Sequence, residues 1–496
     1  MSEETLEPAT LGSTPSSADA LADETAVEGP ADASVTSAPA AARHLVSNWP
    51  MWALGLVLLL DTVDQSIVRG MVGPLQDHFH VDDTGIGLLT SSFILVNGLI
   101  TVPAGYLADR WHRTRTIGHT VLGWSGITAL SAVAPTFPIL VGIRGMLGFG
   151  QAITEPSAAS LIADYYPTEQ RGKAFSIQQV MLIAGVGLGV GIGGVVGNAF
   201  GWRAGFVVVA LPGILVALLA YRLREPKRGH ADRMHMGVVD TDGDGHSDSI
   251  DADIVDHGLF DDGFRPFMRE MVQGLRKDLR TIWDITTMKY AMVGVAVLLF
   301  AVYAISTWLP QFYERQLGIA AGQAEAWFAA LIMLGGVPGV LVGGRVADRY
   351  ATRVRGARVA IPAFCILAGN TFFTISYLRL PFGPAFALQV VGIFLFTMAI
   401  PGLRAGLSDA IPANLRGAGF GAFNLVAVVL GGAGAPLVVS MLSDAFDNNL
   451  RTAFLIVSPV VYVGAWVLLR ARDHLEADAM KIFQAVVTAM QEQQQG

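Results

Sequence analysis

Two carboxylates, Asp61 and Asp64, stand three residues apart inside the apolar run Met51–Val72. That spacing puts both on one face of a helix. A carboxylate at the centre of a membrane span costs about 2.5–3.5 kcal/mol unless it is paired, hydrated or protonated. The pair therefore reads as proton-coupling or cation-sensing acids, and a structural hydrogen bond to a neighbouring helix is the plainer alternative. A second apolar run carries Arg144, Gly148, Gln151 and Glu155 at spacings of four, three and four, a single polar stripe. Arg144 suits an anionic head group, or a lock with an acid of the first run. Arg404 and Asp409 lie in a later run. Arg404 reads as a ligand residue, and Asp409, near the end of its run, as a gate.

A third constellation has a different chemistry. Asp240, Asp242, Asp244, Asp248 and Asp251 occupy positions 1, 3, 5, 9 and 12 of a twelve-residue loop. Gly245 falls at position 6 and His246, at 7, offers its carbonyl. This is the donor order of a calcium loop, in which backbone wraps a hard cation and glycine permits the sharp bend. Asp251 replaces the usual glutamate, which weakens bidentate closure and makes magnesium a competitor. An acidic solvated linker is the bland alternative. His230, His235, His246 and His257 fit no zinc spacing. The glycine run Gly185–Gly194 contains a dinucleotide fingerprint, but it lies within one apolar run and lacks the required strand, so the glycines are expected to serve close helix packing.

The elements that must position these residues follow from composition. The 496 residues are 52% hydrophobic and 15% charged, and an ordinary soluble domain carries roughly 25% charge. The apolar residues come in runs of about 20, the length that crosses the hydrocarbon of a bilayer. There are twelve: near Met51–Val72, Ile86–Leu107, Ile117–Val133, Pro138–Ala163, Ala174–Phe200 and Phe206–Leu223, then Ala291–Pro310, Ala326–Val346, Val359–Leu378, Phe386–Ile411, Phe420–Leu442 and Phe454–Leu469. Alternate loops carry the basic residues, such as Arg110, Arg113 and Arg115, or Arg222, Arg224, Lys227 and Arg228. Positive loops stay inside, so both termini are expected in the cytoplasm of a multi-pass plasma (inner) membrane protein. Net charge −8 excludes a phosphate-collecting nucleic-acid binder, and the single Cys365 excludes a disulfide scaffold.

The chain also repeats. Gly105-Tyr-Leu-Ala-Asp109-Arg110 returns as Gly344-Arg-Val-Ala-Asp348-Arg349, and Pro167-Thr-Glu-Gln-Arg171-Gly172 as Pro412-Ala-Asn-Leu-Arg416-Gly417. Two offsets of half a chain imply an all-α membrane protein of two six-helix halves with a site between them, which is a transporter plan. The expected domains are an acidic disordered tail (1–43), a first bundle (44–225), a central loop (226–286) holding the calcium loop 240–251 and a basic amphipathic helix Phe264–Lys289, a second bundle (287–472), and a further cytoplasmic helix and tail (473–496). Residues 1–42 sum to −8, residues 229–263 to −9 and the remainder to +9, so a basic body carries two acidic appendages.

The loop pattern Gly-x-Leu-Ala-Asp-Arg-x-x-Arg is similar to the signature of the major facilitator superfamily, and the resemblance covers residues 45–470. The stretch Gly148–Pro167, with Gly87-Leu-Leu-Thr-Ser-Ser-Phe and Gly201-Trp-Arg203, resembles the Spinster-like branch, which is linked to export of lysophospholipids and sphingoid phosphates. The resemblance implies the superfamily fold of twelve transmembrane helices. It also implies gating at Asp109, Arg110, Arg113, Asp348 and Arg349, beside the gate read at Asp409 from its position. The branch usually has Asp-Arg in span one and Gly-Glu-Ala in span four, where this chain has Asp64-Gln65 and Gln151-Ala152. Losing both charges together leaves no unpaired ion, so Gln65 and Gln151 are expected to face each other in the substrate cavity with Arg144 and Arg404. Glu155, one turn on, stands in for the missing acid as a third coupling residue. The expected function is alternating-access transport, not enzymatic, of an amphipathic anionic lipid, proton-coupled and calcium-regulated, by a monomer. Alternatives are the same fold moving drugs, sugar phosphates or organic anions, and a calcium-responsive membrane sensor without transport.

Overall fold

The computed structural model describes residues 47–108, 112–226, 285–351, 356–409 and 425–495, with single helical positions between 265 and 283. Among the described residues eleven helices are long and apolar enough to cross a membrane. The twelfth expected span is the helix Arg113–Ser131. Its first turns carry Arg113, Arg115 and His119, which shortens its apolar stretch without displacing it from the bundle.

The spans are one (Trp49–Gly70), two (Asp83–Ala108), three (Arg113–Ser131), four (Phe137–Gln151 and Thr154–Tyr165), five (Thr168–Phe200) and six (Trp202–Tyr221). After a short helix in its first connection, Val72–Phe79, this half packs span one on five and six, two on four, and three on four and six. The second half has seven (Thr286–Leu317), eight (Gln323–Leu331 and Val337–Ala351, joined by the π-helical turn Ile332–Gly336), nine (Ala357–Ser376), ten (Phe382–Asp409), eleven (Val428–Ala433, also π-helical, and Gly434–Ala445) and twelve (Leu450–Gln495). Here seven packs on eleven and twelve, eight on ten, and nine on ten and twelve. Each pairing repeats six spans later, the tertiary counterpart of the repeated loops.

The halves meet through spans two with eleven and five with eight. Span five makes both contacts its glycines were expected to allow. A Cβ on Gly185, Gly189 or Gly193 would lie 2.7, 2.5 or 2.4 Å from the carbonyl oxygens of Leu59, Val63 and Ile67 in span one. On its other face a Cβ on Gly187, Gly191 or Gly194 would meet Ile332, Ala329 and Glu325 of span eight at 3.0, 3.0 and 2.4 Å. Only hydrogen fits against span one, and against span eight a larger residue would push its neighbours aside.

Two boundaries differ from expectation. Span seven's helix begins at residue 286, so Lys289 belongs to it and not to an amphipathic helix. The chain beyond residue 472 continues span twelve as one uninterrupted helix to Gln495, because nothing from Leu469 onward breaks the helical hydrogen bonding. Asp478 on this extension accepts from the backbone N–H and hydroxyl of Thr287 (both 2.8 Å), which anchors it to the start of span seven.

Candidate functional site

Asp61 and Asp64 are both buried, 3% and 0% exposed, but their environments differ. Asp64 is saturated. It accepts from Thr128 Oγ1 at 2.5 Å, from Arg144 Nη1 at 3.0 Å and from Gln151 Nε2 at 3.2 Å. Arg144 Nη2 also donates to the Asp64 carbonyl at 2.8 Å, and its guanidinium lies 5.8 and 5.6 Å from the rings of Phe93 and Phe206. Spans one, three and four are thereby tied together around one ion pair. Among the described residues Asp61 receives only Gln65 Nε2, at 3.3 Å, and its Oδ1 has no partner. Of the two acids, Asp61 is the one able to take up a proton without first breaking an ion pair.

The two glutamines do not meet. Gln151 turns to Asp64, while Gln65 folds back along its own helix to Asp61, because the intact Asp64–Arg144 pair offers Gln151 a stronger acceptor than a neutral amide would. Glu155 is not a buried substitute acid. It is over half exposed, with its Oε1 3.7 Å from Arg404 Nη2 of span ten.

Arg113 is fully buried among Asp164, Ser160 Oγ (2.9 Å), Glu225 Oε1 (2.7 Å) and the carbonyl of Pro226 (3.1 Å). All four belong to the first half, so Arg113 fastens spans three, four and six of that half and does not bridge the halves. Arg349 is exposed on span eight. Asp109 and Arg110 lie outside the described residues, as do the side chains of Asp348 and Asp409. The calcium loop, with Asp240, Asp242, Asp244, His246, Asp248 and Asp251, also lies outside them. Among the described residues no group of three or more His, Cys, Asp or Glu could hold a metal ion.

Sequence reasoning missed a cluster at the end of the bundle opposite the basic loops. Asp83 of span two accepts two bonds from Arg315 of span seven (2.7 and 2.8 Å) and one from Ser443 of span eleven (2.7 Å). Asp444 of span eleven accepts from the Thr84 backbone and hydroxyl at 2.7 and 2.5 Å. Gln76 donates to Asp83 at 2.8 Å and accepts from Arg315 at 3.1 Å. Every residue of one half here is answered by the other, across 232 or more positions of sequence. No local spacing signals such a contact. A recess of about 730 Å³, lined by Arg315, Arg379 and Arg451, lies at this same end. A second missed residue is Arg69, buried in span one.

The geometry is that of two half-bundles meeting through spans two, five, eight and eleven, with a buried acid in span one. A family model described as Major Facilitator Superfamily matches residues 54–436. Protein spinster homolog 3 of Homo sapiens is 25% identical over 482 residues, covering 88% of this chain and 86% of that protein. The niacin transporter NiaP of Acinetobacter baylyi is 25% identical over 442 residues, covering 85% and 93%. The crystal structure of a bacterial homolog to the human lysosomal transporter Spinster superposes with a TM-score of 0.66 at 21% identity, covering 89% of this chain and 98% of that one.

Proposed function

The chain belongs to the Major Facilitator Superfamily, and from that premise we propose a Spinster-like secondary transporter that moves an amphipathic anionic lipid, such as a lysophospholipid, by alternating access. Proton coupling and regulation by calcium at the central loop are part of this reading. With the basic loops on the cytoplasmic side of a plasma membrane, the Asp83–Arg315 cluster closes the outer face. Spans four and ten are linked by the exposed Glu155–Arg404 contact, which alternating access would make and break.

The observation that carries the coupling assignment is the partnerless oxygen of Asp61, a buried carboxyl beside the half-buried Gln65. An intramembrane acid of this kind is a functional site by default. The Asp64–Arg144 pair then serves as the rigid frame against which Asp61 changes state. Calcium at Asp240–Asp251 would order the loop that connects the halves and bias their opening.

A second reading, transport of a small organic anion, is favoured by the similarity to a niacin transporter. The deciding experiment is flux of labelled lysophospholipid and of labelled niacin into proteoliposomes, with pH and calcium varied separately. The lipid reading expects flux that rises with acyl-chain length. Asp61→Asn should abolish the dependence on the pH gradient. PH-driven flux that is unchanged in Asp61→Asn overturns the coupling assignment. If nothing from a broad panel of solutes moves while calcium still alters conformation, the protein is a sensor and not a transporter.

A further inference from the structure

Three arginines are buried among the described residues, and two of them have carboxylate partners: Arg113 with Asp164 and Glu225, and Arg144 with Asp64. Arg69 does not. It is 3% exposed, and among the described residues no carboxylate lies within ion-pair distance of it. Its Nη1 donates to the neutral hydroxyl of Ser306 at 3.2 Å, its Nε has no hydrogen-bond partner, and its guanidinium lies 5.2 Å from the centre of the Tyr303 ring. An arginine cannot escape this position by losing its proton. A buried cation with neutral neighbours is satisfied by acquiring an anion.

The acids of its own helix do not serve. Asp61 is eight residues back, about 12 Å along the axis. Asp64 is occupied by Thr128, Arg144 and Gln151. Nor can the arginine withdraw with its helix. A Cβ on the next residue, Gly70, would lie 2.2 Å from the Val190 carbonyl, so span one is pressed onto span five at this level. The guanidinium therefore reaches the other way, out of the first half and onto span seven of the second. Tyr303 and Ser306, three apart, share one face there. Tyr303 is only half-buried and backs onto Gly432 of span eleven.

We propose that Arg69, Tyr303 and Ser306 form a subsite for the terminal anion of the transported molecule, a phosphate monoester or a carboxylate, held between spans one and seven. The inference rests on the reading of the chain as a carrier of an anionic amphiphile and names where the charge is recognised. The planar guanidinium presents paired donors to a phosphate or carboxylate, the tyrosine ring supports its face, and Ser306 Oγ, which accepts from Arg69 and donates to the Tyr303 carbonyl at 3.2 Å, positions the guanidinium from the other half. Because its residues come from both halves, the occupied subsite couples ligand charge to their relative position.

The test is binding of labelled lysophosphatidate to the purified full-length protein, with competition by inorganic phosphate, nicotinate and uncharged monoacylglycerol. The expected result is binding that monoacylglycerol does not displace and that R69Q weakens by about 10- to 100-fold, the range for hydrogen bonds to charged groups. Displacement by inorganic phosphate assigns recognition to the free anion, and displacement by nicotinate extends it to carboxylates. Displacement by unlabelled lysophosphatidate alone assigns it to the lipid head group. R69K and S306A keep the test decisive if R69Q does not fold: R69K keeps the charge but loses the fork, and each should weaken binding severalfold. Wild-type affinity in R69Q, or in both R69K and S306A, overturns the subsite, as does a wild-type protein that binds none of the anions. Loss of lysophospholipid flux with binding retained would overturn the transport reading and leave the subsite standing.

Discussion

Arg315→Ala should open the face of the bundle opposite the basic loops. Arg315 makes three hydrogen bonds, all to the other half: two to Asp83 at 2.7 and 2.8 Å and one to Gln76 at 3.1 Å. The Asp83 side chain is fully buried and that of Arg315 is 23% exposed. Removing one partner of a buried pair typically costs about 3–5 kcal/mol. Asp83 keeps donors in Ser443 and Gln76, which lowers the cost to about 2–3 kcal/mol. At 1.4 kcal/mol per factor of ten, the closed-to-open ratio falls by about 30- to 150-fold. Ser440 reports the change, because it is fully buried where span eleven meets Gly87 of span two, and a Cβ on Gly87 would come within 2.2 Å of its hydroxyl. With Cys365, the only cysteine, replaced by serine, a Ser440→Cys variant in nanodiscs should react slowly with a maleimide. While the open form is the minor one, the rate follows its population and should rise by the same factor in Arg315→Ala. Asp83→Asn/Arg315→Ala should react more slowly than Arg315→Ala alone, since the stranded charge is gone. Equal rates with and without Arg315 would refute the reasoning and leave the Asp444–Thr84 contact as the closure.

The Asp64–Arg144 pair makes a second prediction: Asp64→Ala and Arg144→Ala should each lower stability by about 3–5 kcal/mol, and the double variant by less than either alone. Thermal unfolding of the three proteins checks this, and additive losses would show that the two groups do not neutralise each other. Titration of calcium into the full-length protein should release or absorb heat that Asp240→Ala abolishes. Absence of heat at millimolar calcium would leave residues 240–251 an acidic linker.

Much of the architecture was legible along the chain because a bilayer imposes a length and a composition on each span. Apolar runs of about 20 residues set the number of crossings, the basic loops set their expected sidedness, and loops repeated at half-chain spacing separated two bundles. The glycines of span five could be read as packing residues, since an apolar run offers no strand on which to build a nucleotide loop. The boundary at residue 472 was not legible: falling hydropathy marks where a span leaves the lipid, not where a helix ends.

The candidate site was legible only in part. Asp61, Asp64, Arg144 and Gln151 stand out because a polar residue in an apolar run is expensive, whatever it touches. Spacing placed Asp61 and Asp64 on one face and so made them look equivalent. Tertiary structure separated them, giving Asp64 an arginine from span four and leaving Asp61 an amide from its own helix. Folding encloses Arg69 against Tyr303 and Ser306 of the second half, a contact that no local spacing signals. Asp83 and Arg315 become partners only where the two halves meet. The sequence by itself determined which residues cannot rest in lipid alone, because that cost belongs to the residue. Only the tertiary structure decided which of them are satisfied, because satisfaction belongs to a pair, and these pairs join positions far apart on the chain.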